Sequence, residues 1–95
     1  MELTDKCKEA FEKWNSENNY GKYKFEDFND SMQYGVYVDF FESVGLFVEV
    51  KVKPKINFNY GIHDRLEWLV SSEFFNSRPE ARKAAIQKAN EIFNQ

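Results

Sequence analysis

Glu49 and Lys51 stand two apart in the segment LFVEVKVK, and Asp39 precedes Glu49 by ten positions. Two carboxylates can share a divalent cation, and a cation so held can activate water. Asp39, Glu49 and Lys51 are therefore the residues with which this chain would do metal-dependent chemistry. An amphipathic strand with a charged face also produces Glu-x-Lys without any chemistry, and the pattern around Asp39 is helical rather than that of a neighbouring strand. Cys7 is the single thiol and His63 the single histidine. A structural zinc site takes four Cys or His ligands, which these two cannot supply, and Cys7 lies inside an apolar stripe where a thiol acts as a small hydrophobe. The four glycines are isolated, so no phosphate-cradling loop is present. The sequence predicts no catalytic residues, no metal and no cofactor.

Charge is distributed unevenly. From Phe25 to Val50 the acids Glu26, Asp27, Asp30, Asp39, Glu42 and Glu49 occur without a lysine or arginine among them. Acids beside tyrosines suit a basic groove on another protein, where carboxylates compete with phosphates. Specific interfaces centre on a few aromatic anchors within a polar rim. Tyr20, Tyr23, Tyr34 and Tyr37 are the candidate anchors, with Glu26, Asp27, Asp39 and Glu42 as charge partners. The plainer reading is that the acids solubilise an apolar region and the rings fill the core. A second set, Arg78, Arg82 and Lys83, gathers where the last helical pattern begins, and cations at a helix N-terminus favour phosphate.

The elements that must position these groups follow from hydrophobic periodicity. Leu3, Cys7, Ala10, Phe11 and Trp14 share a narrow arc at helical spacing, which predicts a surface helix ending near Asn18 to Gly21. Residues 20–29 show no lasting period and read as a connection anchored by Phe25 and Phe28. In SMQYGVYVDFFESVG, Asp30 with Gln33 has capping-box spacing and Gly45 supplies a stop, so a helix is predicted over 31–43. Its apolar residues span an arc of about 200°, which marks a helix covered on two sides. Leu46, Val48, Val50 and Val52 alternate with charges as a half-buried strand ended by Pro54. Ile56, Phe58 and Tyr60 alternate again, and GIHD reads as a turn. Residues 65–75 fit either a strand through Leu66, Trp68, Val70 and Phe74 or a helix boxed by Asp64 and Glu67. A third strand is preferred because two strands alone are marginal. Ser77 and Glu80 box a final helix, with Pro79 in its first turn and Ala81, Ala85, Ala89, Ile92 and Phe93 as its stripe.

The predicted fold is α+β, in the order α-α-β-β-β-α, with two N-terminal helices and a C-terminal helix packed on a three-stranded antiparallel sheet. Ninety-five residues form one domain, 1–95. A net charge of −3 and a pI near 5.2 argue against generic polyanion binding. A lone cysteine fits a reducing cytosol, and neither a leader pattern nor a run of about eighteen apolar residues is present, so a cytoplasmic protein that does not enter membranes is expected.

Three resemblances add to this reading. Glu49-Val50-Lys51 is similar to the Glu-x-Lys of metal-dependent nucleases of the restriction-enzyme fold. Residues 31–95, with the final helix opening SRPEARKAAIQKA, resemble the double-stranded-RNA-binding domain, and that likeness implies RNA contacts from Arg78, Arg82 and Lys83. The pairing of SMQYGVYVDFFESVG with SRPEARKAAIQKANEIFN resembles small proteins encoded by bacterial phages and prophages. This last resemblance implies a non-catalytic accessory protein that binds and inhibits a host protein in the bacterial cytosol, concretely an anti-CRISPR inhibitor of an RNA-guided nuclease or its RNA complex. Its contact residues would be Glu26, Asp27, Tyr34, Tyr37, Asp39 and Glu42, on a monomer or homodimer.

Overall fold

The computed structural model describes residues 2–18, 24–54 and 57–95. Helix α1 spans Asp5–Glu17, a single 3₁₀ turn spans Phe25–Asp27, and helix α2 spans Asp30–Ser43. Strands β1 (Phe47–Lys53), β2 (Asn57–His63) and β3 (Trp68–Ser71) follow, then helix α3 (Arg78–Asn94). This is the α+β order α-α-β-β-β-α, with an antiparallel sheet in the sequence β1-β2-β3 and α3 packed on it.

Local chemistry explains the helix ends. Ser77 opens α3 because its hydroxyl accepts from the Glu80 N–H at 3.3 Å, and Pro79 sits in the first turn where its missing N–H costs nothing. For α2 the cap is one residue earlier than the spacing suggested. Asn29 Oδ1 accepts from the Met32 N–H at 2.9 Å, Asp30 is already helical, and Gln33 turns away so that its Nε2 donates to the Phe25 carbonyl at 3.2 Å. The other end closes as a Schellman motif. The Leu46 N–H reaches the Phe41 carbonyl at 2.9 Å and the Gly45 N–H reaches that of Glu42 at 3.0 Å, with Gly45 at φ 88°, a conformation that glycine adopts without a Cβ clash.

Helix α1 lacks a side-chain cap of its own and takes one from α3. Asn94 Oδ1 accepts from the Cys7 N–H at 2.8 Å, while Asn94 Nδ2 donates to the Thr4 carbonyl at 3.0 Å. One turn earlier on α3, buried Asn90 accepts from the Thr4 N–H at 2.9 Å and donates to Thr4 Oγ1 at 3.0 Å. Spacing of i, i+4 puts both amides on one face of α3. Thr4 and Cys7 are thereby fastened to the last turns of α3 through five hydrogen bonds, the fifth from Asn94 Nδ2 to Thr4 Oγ1 at 3.3 Å, which satisfy a buried amide and an orphan helix donor.

The core lies between the helices and one face of the sheet. Cys7 and Phe11 of α1, Phe40 and Phe41 of α2, Val48 and Ile62 of the sheet, and Ala85, Ile86 and Ala89 of α3 are all buried within it. Alanines 81, 85 and 89 are fully buried, and these small side chains let α3 approach closely. In β1 the inner row is Val48 and Val50, and the outer row is Phe47, Glu49, Lys51 and Lys53.

Two strand boundaries differ from the sequence expectation. Gly61, Ile62 and His63 belong to β2 rather than to a turn, and Ile62 is fully buried opposite Val48. The turn begins at Asp64, whose Oδ1 accepts from the Leu66 and Glu67 N–H groups at 2.7 and 2.9 Å. Those two donors hold its carboxyl below the ordinary aspartate value. The Asp64/Glu67 spacing thus caps a loop, not a helix, and the third strand is real but short, limited to Trp68–Ser71 with an added bridge at Phe75. Leu66 is 93% exposed, so the run from Leu66 to Phe74 is not one continuous buried row. A register shift between Ile62 and His63 turns Trp68 onto the outer face, over Gly61.

Candidate binding cleft between the first two helices

Phe11 projects from α1, Phe25 from the 3₁₀ turn and Tyr37 from α2, and the three rings meet pairwise with centroids 5.0 to 5.1 Å apart. They meet because Phe11 belongs to the apolar stripe of α1, and because the Gln33 hydrogen bond to the Phe25 carbonyl folds the 3₁₀ turn back against α2. Above this trio is a cleft of about 460 Å³ lined by Glu2, Glu12, Glu26, Lys8, Asn15 and Gln33 together with the three rings. Lys8, Glu12 and Asn15 line up on one flank of α1, since residues three and four apart share a helix face.

The rim holds three carboxylates against one ammonium. Among the described residues the ion pairs are Glu49 with Lys51 and Lys88 with Glu91, so Glu2, Glu12 and Glu26 form no ion pair within 4.0 Å with another described residue. Burial pushes the Tyr37 hydroxyl up to about 12, and the negative charge of Glu2 adds to that, so the phenol stays protonated at neutral pH. An aromatic floor under an anionic rim is the environment that stabilises an organic cation, through the ring quadrupoles and the carboxylates together. The described residues hold no cluster of three His, Cys, Asp or Glu side chains able to bind a metal ion.

The residues expected to meet a partner are divided between three places. Glu26 lies on the cleft rim and exposed Asp27 follows it in the 3₁₀ turn. Tyr37, a candidate anchor, is only 4% exposed: its ring is core and borders the cleft from below. Asp39 and Glu42 are exposed, but at about 100° per residue they stand about 160° and 140° round the helix from Tyr37, so they face away from it on the far side of α2. Tyr34 is half-buried beneath α3, with the Arg82 guanidinium 5.1 Å from its ring centroid. Tyr20 and Tyr23 lie outside the described residues.

The alternative sets fare differently. Arg82 Nη1 donates to Ser31 Oγ at 2.8 Å while its guanidinium covers Tyr34, and Arg78 lies 5.4 Å over the Phe58 ring. Lys83 is exposed and shares a hollow of about 340 Å³ with Arg82, Asp30 and Glu80, whose carboxylates oppose a phosphate there. Glu49 and Lys51 form a loose pair at 3.6 Å on the outer face of the sheet, whereas α2 and Asp39 belong to the layer on its inner face. The three groups required for metal-assisted cleavage therefore lie on opposite sides of the sheet. His63 is part of an outer-face row, stacked on Phe47 at 5.1 Å and edge-on to Trp68 at 4.7 Å. Cys7 is fully buried and its thiol is pushed up to about 11 by burial, the state of an inert core residue.

Sequence reasoning missed Glu2, Glu12 and Phe25 as members of one site. Periodicity assigns Glu12 to a solvated helix face and Phe25 to a connection, and no local signal shows that three segments close over one another. With this geometry in hand, comparison with known proteins adds no relative: no family model, no curated protein and no solved structure matches the chain.

Proposed function

We propose that this protein is a non-catalytic binding module that receives a basic side chain, arginine or lysine, of a larger protein in the α1–α2 cleft. The observation that carries this reading is the excess of three carboxylates over the one ammonium of Lys8 on the rim above the Phe11–Phe25–Tyr37 floor, none of the three in an ion pair with another described residue. A guanidinium fits best, because it can lie on the partly exposed Phe25 ring, the other two rings being buried beneath it, and bond carboxylates through the same planar group. The inhibitor role implied by the phage-protein resemblance is compatible with this chemistry: a nuclease binds nucleic acid through arginines and lysines, and an anionic cleft that sequesters one of them competes with phosphate. Exposed Asp39 and Glu42 then act as long-range attraction for a positive partner and not as the contact itself.

The reading is tested by calorimetric titration with a short arginine-rich peptide. Wild-type protein is expected to bind it with an affinity that falls as salt rises, and Glu12→Lys with Glu26→Lys is expected to weaken binding by about tenfold or more. Reversal of Asp39 and Glu42 is expected to have the smaller effect. Equal affinity for wild type and the cleft variant overturns the assignment.

A further inference from the structure

Strand β1 is the edge of the sheet, seven residues long and without a bulge or an internal proline. Natural edges of this length are usually blocked, because unpaired backbone groups invite another strand. The direction of the unpaired groups follows from β2. Tyr60 donates its N–H to Ser72 Oγ at 2.8 Å and accepts at its carbonyl from the Ser72 N–H at 2.9 Å, and Phe58 exchanges both bonds with Phe75. Both residues thus point their main-chain groups toward the β3 side. In an antiparallel ladder, residues opposite each other point either toward one another or away. Val50 and Val52, which lie opposite Tyr60 and Phe58, therefore direct N–H and C=O outward, and alternation adds Val48. Among the described residues nothing pairs with them.

We infer that β1 pairs antiparallel with β1 of a second copy of this chain, about a two-fold axis through Val50. The strand FVEVKVK is self-complementary about that residue. Val50 meets its counterpart and Val48 meets Val52 of the second copy, which matches every outward donor to an outward acceptor. Val52, 60% exposed at present, gains a neighbour. On the outer face Glu49 falls opposite Lys51 of the second copy, and Lys51 opposite its Glu49. These are non-hydrogen-bonded positions, where side chains come closest. The intrachain Glu49–Lys51 contact is long, 3.6 Å, with the side chains 45% and 39% exposed, and Lys51 Nζ also lies 4.3 Å from the Trp68 ring centroid; both are surface contacts of small worth that a cross-strand pair can replace. Of the two neighbouring two-fold registers that still match the valines, one sets Glu49 against Glu49 and the other sets Lys51 against Lys51 while pairing Glu49 with Lys53, so among the three the register about Val50 is the one free of like-charge contacts. The opposite edge, β3, has four residues and offers no such pattern.

Sedimentation velocity over a concentration series, with circular dichroism to confirm folding, tests this. Wild type is expected to form a reversible dimer, and Glu49→Lys or Lys51→Glu alone to weaken it by about tenfold or more, since two attractive pairs become repulsive. An equimolar mixture of the two variants is expected to dimerise, because one then supplies only lysines and the other only glutamates. The doubly swapped E49K/K51E protein is expected to dimerise with itself. Amide exchange of Val48, Val50 and Val52 is expected to be slow in the wild-type dimer and fast in either single variant. A wild type that stays monomeric at millimolar concentration overturns the inference, as do single variants that dimerise undiminished, a mixture that stays monomeric, or a dimer in which those three amides exchange freely.

Discussion

Two glycines separate what a residue does for the fold from what it leaves to the surface. At Gly61 an added Cβ would come 2.6 Å from the Trp68 ring, so the absence of a side chain is what lets the indole lie across β2. At Gly35, in the middle of α2 on its exposed stripe, an added Cβ would meet nothing within 4 Å. Glycine inside a helix costs about 0.5–1 kcal/mol relative to alanine. Gly35→Ala is therefore expected to raise stability by about that amount in urea denaturation, with the m-value unchanged. A loss of stability would show that the helix surface at Gly35 is not open. Some residue-level facts were legible in the sequence: Cys7 sits in the stripe of α1, and a thiol there was readable as a hydrophobe. Others were not. Tyr37 and Asp39 are two apart in sequence with opposite fates, and which side of a nearly all-apolar helix remains wet is decided by the elements packed on it, not by α2 itself.

Elements were legible where a period and a cap agreed. Ser77 with Glu80 marks the start of α3, and alternation through Val48 and Val50 marks β1, because each signal is local. The third strand was harder, since the Asp64 carboxylate accepts N–H groups with the same cap geometry in a loop as in a helix and only the pairing with β2 decides between them. The interhelix clamp was invisible, for Asn90 and Asn94 read as polar residues at the end of a stripe until Thr4 is brought to them. It carries a definite expectation. Asn94→Ala removes the acceptor for the Cys7 N–H and the donor to the Thr4 carbonyl, and should destabilise the protein by about 1–2 kcal/mol, a fall in Tm of several degrees. Hydrogen exchange should quicken first in the initial turn of α1. Unchanged exchange there would mean that the clamp holds nothing.

At the scale of the molecule, the helices cover one face of the sheet, and no described helix is long and apolar enough to cross a membrane. The core is closed around groups kept neutral by burial. The Cys7 thiol is moved from 9.0 to about 11 and the Tyr37 hydroxyl from 10.0 to about 12, and burial raises Tyr34 and Tyr60 as well. Each folded-state value lies above its unfolded one, so the unfolded chain releases these protons first as pH rises. Their contribution to stability is complete below about pH 9 and is lost progressively up to about pH 12. A far-ultraviolet circular dichroism titration should accordingly show unfolding within that window, with ionisation of the core tyrosine coinciding with the loss of helix. Ionisation of every tyrosine near pH 10 in a still-folded protein would contradict the packing described for Tyr37.

The cleft is the feature on which the functional account depends, and mapping a bound cation onto it is the most direct check. In two-dimensional amide NMR, titration with an arginine-rich peptide should shift the resonances of Phe11, Glu12, Phe25 and Glu26 and leave those of β3 and the far side of α2 in place. Shifts confined to Asp39 and Glu42, or to the start of α3, with the amides of the cleft unmoved, would contradict it.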